Sequence, residues 1–174
     1  MCAAGDGFLP FETGVSARMP GVLFRTDFLR RIGGFDERFE LTASDSEMIQ
    51  RAALLGSTAF VPAVIGMYRV WTGSLTHARQ ATDLWMTEVG LWTDKIGALL
   101  QGGHQPTSRH VDVRRYKAEI LALNLLAGLN NLRAKGAAAE ARAFLARHPV
   151  PAGARLKTRL RLLRCRMALR GTAT

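Results

Sequence analysis

Ile32-Gly33-Gly34-Phe35-Asp36-Glu37 is followed, seven residues later, by Asp45-Ser46-Glu47-Met48-Ile49-Gln50-Arg51, and the run closes at Gly56. Paired glycines reach backbone conformations that other residues avoid. They predict a sharp turn ending a short helix, Asp27–Ile32, for which Thr26 is the cap. The turn is expected to bury Phe35, with Asp36 ordering it. Ser44 or Asp45 can start the next helix. Met48, Ile49, Ala52 and Leu55 then share one face, and Gly56 stops it.

Outward from this block, Val22–Arg25 is short, apolar and β-prone. Thr58–Val61 and Val64–Val70 read as strands split by Pro62. Residues 1–20 carry Pro10, Pro20 and several glycines and read as an irregular lead-in. Beyond the strands the pattern becomes helical. Residues 79–101 form one helix with Leu84, Val89, Leu91, Ile96 and Leu99 as its apolar positions, and 102–108 form a linker. Val113, Tyr116, Ile120, Leu123 and Leu126 or Ala127 mark a second helix, ended by Gly136. Ala137–Arg147 is a third, stopped by Pro149 and Pro151, and the two make an antiparallel hairpin. The fold class expected is therefore α/β. A short mixed sheet with flanking helices occupies about residues 1–105, and an α-helical extension with a basic amphipathic tail occupies 110–174.

The chain has 174 residues, a one-domain length with room for a real core. Hydrophobic residues make up 48% and charged residues 22%, which makes disorder a poor overall reading, with fraying expected at the ends alone. The net charge is +10, and seven basic residues with no acidic one lie between Arg155 and Arg170. The basicity thus belongs to the tail and says little about the chemistry before it. Cys2 and Cys165 offer neither metal-ligand spacing nor a disulfide framework, and a reducing compartment is the default. No signal-peptide pattern opens the chain, and no apolar stretch reaches the roughly 20 residues that span a bilayer. The four histidines lack a metal spacing such as H-E-x-x-H.

The ordered set in residues 20–76 is Pro20-Gly21-Val22-Leu23-Phe24-Arg25, the Gly33-Gly34-Phe35-Asp36 turn, the Asp45-to-Arg51 helix, Phe60-Val61-Pro62 and Met67-Tyr68-Arg69-Val70. It resembles the acceptor-side, carboxy-terminal half of inverting family 2 glycosyltransferases of the GT-A fold, and covers about a third of the chain. The resemblance implies transfer of a sugar from a nucleotide-sugar donor to a saccharide or lipid-linked acceptor, with inversion, as in polysaccharide biosynthesis. It places Asp45 at the catalytic base position. Arg51, Trp71, Gly34 and Asp36 fall on the substrate side, with Trp71 as a platform for a sugar ring. A divalent metal, manganese or magnesium, is the implied cofactor, but its ligands are not visible in this chain. No Asp-x-Asp motif and no strand–helix repeat precedes residue 20, so the nucleotide-binding half is expected to be missing. Ser44 stands where the family commonly has Glu, and Trp71 stands where a His is frequent; His77 is six residues further on.

The residues also admit plainer readings. Asp45 before an apolar-periodic helix is, on its own, a helix N-cap. Arg51 on a helix is commonly solvated or ion-paired. Trp85 and Trp92, on a long helix, suit core packing better than sugar stacking. A non-catalytic remnant or interaction module is the alternative to an enzyme, and an incomplete sheet predicts an exposed apolar surface and self-association. Leu156, Leu160, Leu163 and Met167 form one stripe of the last helix, between arginines. That pattern suits the anionic inner face of a membrane, giving a cytoplasmic, peripheral location. It lacks the interleaved aromatics of a nucleic-acid binder, which ranks below it. The same stripe could instead pack on the preceding hairpin.

Overall fold

Apolar helix faces, not a sheet, bury the core. The computed structural model describes residues 1–41, 43–64, 66, 67, 71, 74 and 78–171. Its α-helices are α1 (Thr26–Arg31), α2 (Ala43–Leu55), α3 (Asp83–Gln101), α4 (Val113–Ala134), α5 (Ala138–Arg147) and α6 (Leu156–Gly171). Two 3₁₀ turns, Asp6–Phe11 and Met19–Gly21, precede them. Helix makes up 60% of the chain, and no strand or sheet is present among the described residues.

This overturns the expected α/β class with its mixed sheet. The cause lies in pairing. Val22 (φ −120°, ψ 130°) and Arg25 (φ −66°, ψ 129°) are extended, as the sequence predicts, but no ladder partner lies beside them among the described residues. Leu23 is accordingly 95% exposed. Among the described residues Thr58 pairs only with Cys2, through Cys2 N–H to Thr58 O (2.7 Å) and the return bond (3.1 Å). A strand is stable only when its backbone groups are satisfied by neighbours. Of the expected strand Val64–Val70, Val64 and Met67 are exposed. Ile65 and Tyr68-Arg69-Val70 lie outside the described residues, as does His77.

The helices match their signals more closely. α1 ends where Gly33 (φ 91°) and Gly34 (φ 63°) turn the chain, with their N–H groups donating to the carbonyls of Arg30 and Leu29. Those positive φ values suit glycine. Thr26 is the first residue of α1 rather than its cap, and no side chain caps that helix. Thr82 caps α3 by accepting from Trp85 N–H at 3.1 Å, and Asp112 caps α4 by accepting from Arg114 and Arg115 N–H.

α3 packs against both α2 and α4. Its core face is Trp85, Met86, Val89, Trp92, Ile96 and Leu100. Of the apolar positions expected there, Leu84 is 41% exposed, since one step along a helix rotates a side chain off the face. Trp85 and Trp92 are core residues. α5 folds back on α4, and Gly128 admits Phe144, whose Cε1 would lie 2.9 Å from a Cβ at that position. One core joins Phe8 and Phe11 near the start to Leu162 and Leu169 near the end, so it runs through both 1–105 and 110–174. A fully buried Leu or Phe contributes about 1.5–3 kcal/mol.

α6 packs on α4 and α5 through Thr158, Leu162, Cys165 and Leu169. Its start is held by Glu119 of α4, which accepts from Arg155 N–H (2.7 Å) and the Thr158 hydroxyl (2.6 Å). The stripe Leu156, Leu160, Leu163 and Met167 is not the packed face; these residues are 69%, 45%, 50% and 63% exposed.

Candidate functional site

α2 presents two different chemical faces. Arg51, buried one turn before its end, reaches back to the Gly-Gly turn. Its guanidinium donates to Gly34 O at 2.6 Å and to Ile32 O, and to Glu47 Oε1 (2.6 Å) and Oε2 (3.1 Å). Lys95 of α3 approaches the same Glu47 (3.0 Å) and Asp36 (2.6 Å). Asp36 also accepts from the Arg38 guanidinium (2.9 and 2.7 Å) and from Arg38 N–H. Three cations and two carboxylates thus lock the turn onto α2 and α3. A planar guanidinium suits this role because its fork reaches carbonyls and a carboxylate at once.

The turn and these side chains line a shallow depression of about 460 Å³, with Gly33, Gly34, Phe35, Asp36, Arg51 and Lys95 on its walls. Phe35 is 43% exposed at this depression, not buried as the sequence suggests. The aromatic that enters the core is Phe39, four residues on, with Lys95 Nζ 5.8 Å from its ring centre.

The Arg38 guanidinium and the Lys95 ammonium hold the Asp36 carboxyl well below the usual carboxylate range. A depressed carboxylate contributes stability above its unfolded pKa, and that contribution is lost as pH falls through the folded value. The window therefore opens below about pH 4, the ordinary Asp value. Asp36→Asn is expected to flatten the acid side of the stability curve there. Urea midpoints measured for both proteins at successive pH values check this.

Asp45 sits in the first turn of α2, exposed, and its carboxylate accepts no hydrogen bond among the described residues. Partial desolvation pushes its pKa up, and the positive charge of Arg18 opposes the shift. The helix start does not hold it by backbone N–H groups, as the sequence reading supposes. Asp45 is two residues from Glu47, and side chains at that spacing do not face each other on a helix. The structure thus brings Gly34, Asp36 and Arg51 together and leaves Asp45 on another face. Trp71 is 60% exposed and lies outside the lining of the depression.

Glu47, Lys95 and Gln50 were missed by motif reading. The Glu47–Arg51 spacing of four is a signal that could have found the first. Lys95 is brought in by α3 and has no local signal. Gln50 is fully buried; it donates to Phe11 O (2.6 Å) and accepts from Trp92 Nε1 (2.8 Å) and the Tyr116 hydroxyl (2.6 Å). Among the described residues no three His, Cys, Asp or Glu side chains converge to hold a metal ion. No helix among the described residues is long and apolar enough to cross a membrane. No protein-family model, curated protein or solved structure matches this chain.

Proposed function

We propose that this chain is the acceptor side of an inverting sugar transferase resembling family 2, with Asp45 as its general base. The donor nucleotide sugar and any metal would be held by residues outside these 174. The acceptor is a saccharide or lipid-linked hydroxyl compound. Asp45 takes the proton from that hydroxyl as its oxygen attacks the anomeric carbon, and the bond to the departing diphosphate breaks with its electron pair.

One observation carries this reading. Asp45 is an exposed carboxylate at a helix start with a raised pKa and no hydrogen bond among the described residues, while its neighbours Glu47 and Arg51 are engaged in scaffolding. A raised pKa strengthens a base. The depression shaped by Gly34 and Asp36 lies on another face of α2 from Asp45, so it would hold a part of the acceptor away from the reacting hydroxyl, where the exposed ring of Phe35 can meet a sugar face; Trp71 offers a separate aromatic surface. Two free cysteines suit a reducing, cytoplasmic setting.

The test is sugar transfer by the complete reading frame with and without Asp45→Asn. The variant is expected to lose about 100-fold in kcat at unchanged thermal stability, in line with general-base catalysis. The acid limb of the wild-type kcat/KM profile is expected above about pH 4 and to vanish in the variant, because the base must be ionised. Full activity of the variant would remove Asp45 from the mechanism. An interaction module without catalysis is the second reading, favoured by the exposed Leu23, Val61, Val64 and Met67. Under it, transfer activity would be absent from the complete frame altogether.

A further inference from the structure

α6 carries apolar residues on two sides. Thr158, Leu162, Cys165 and Leu169 face the bundle, and Leu156, Leu160, Leu163 and Met167 recur at the same helical spacing on roughly the opposite face. The second stripe has no partner among the described residues. Lys157, Arg161 and Arg164 flank it on one side and Arg159 and Arg166 on the other, all of them exposed. Leu156 and Leu160 with Lys157, Arg161 and Arg164 also wall a surface concavity of about 520 Å³. The sequence from Arg155 to Arg170 contains no acidic residue.

We propose that this outer face of α6 docks flat on an anionic lipid bilayer. The charge pattern selects the occupant. An apolar ridge between two basic shoulders can sink its leucines below the headgroups while the arginines reach the lipid phosphates. A second copy of the chain would bring like charge against both shoulders. A nucleic-acid duplex would meet the arginines but leave the leucine ridge against its phosphates, with no apolar surface to receive it. The helix is held in place for such docking. Glu119 fixes its start, and the Arg142 guanidinium donates to Leu169 O (3.1 Å) near its end. The outward face is therefore set by the bundle and does not depend on the membrane to form. This inference stands apart from the catalytic reading, and an Asp45→Asn chain should bind lipid as the wild type does.

Flotation of the full chain with vesicles tests it. Phosphatidylcholine vesicles carrying phosphatidylglycerol are expected to bind at least about tenfold more protein than phosphatidylcholine alone, with binding weakened by added salt. Leu160→Ser with Leu163→Ser, and separately Arg161→Gln with Arg164→Gln, should each reduce partitioning by about tenfold while the thermal midpoint is kept. Equal binding to the two vesicle types would overturn the proposal. So would loss in the arginine variant alone together with a salt-sensitive duplex DNA shift, which would assign the face to nucleic acid. A concentration-dependent dimer abolished by the leucine variant, with no lipid binding, would assign it to a second copy and equally overturn the proposal.

Discussion

Arg51→Ala is expected to destabilise the chain by about 4 kcal/mol, the cost of breaking a buried ion pair from one side. Glu47 has a fully buried side chain, and Arg51 is its i,i+4 partner at 2.6 Å. Without the guanidinium, Glu47 keeps only Lys95 among the described residues, and the carbonyls of Ile32 and Gly34 lose this donor. Those carbonyls are part-buried beside an open depression where water can replace the lost donor, so the cost falls chiefly on the buried Glu47 carboxylate. Arg51→Lys restores the charge but lacks the fork, so it should recover only about half of the loss. Urea unfolding gives both values, and hydrogen exchange at residues 33–36 should rise in both variants. A loss below about 1 kcal/mol in the alanine variant would show that Lys95 alone satisfies Glu47. Because a domain of this kind is stable by only about 5–15 kcal/mol, this single residue carries a large share of the net stability.

The same residue shows what the sequence could and could not disclose. Gly33-Gly34 and the helix from Ala43 are legible locally, since positive φ and helical periodicity are properties of a few neighbouring residues. The Arg51 side chain, by contrast, acts across 17 residues to Gly34 and meets Lys95 through Glu47 only after α3 packs on α2. Nothing in a linear pattern encodes that meeting. The expected sheet fails for a related reason. Val22–Arg25 has a strand's local preference and an extended backbone, but a sheet is a pairing between distant segments, and Val22–Arg25 finds none. In α6 the apolar stripe is legible in the sequence, but periodicity cannot say which of two apolar faces meets the bundle. That is decided by Glu119 and by the fit of Leu162 and Leu169 against α4 and α5. The place of Asp45 is legible from the motif, while the lack of a hydrogen-bond partner for it among the described residues could come only from the structure.

Gln50→Ala is expected to cost as much as the loss of Arg51, about 4 kcal/mol, although no charge is removed. Gln50 joins the 3₁₀ turn at Phe11, Trp92 of α3 and Tyr116 of α4 to α2 through one amide. All four residues are buried, so water does not replace the lost bonds. Burial pushes the Tyr116 hydroxyl well above its usual pKa, so it stays a donor throughout the working pH range. Removing the amide strands two donors and one acceptor and opens a cavity beside them. Tyr116→Phe is the informative comparison. It removes one donor but leaves Gln50 Oε1 paired with Trp92, so its cost should be about 1 kcal/mol. Thermal and urea unfolding of both variants check the difference. If the two costs were equal, the network would act through Tyr116 alone, and Gln50 would be a spacer rather than the node that ties the amino-terminal turn to three helices.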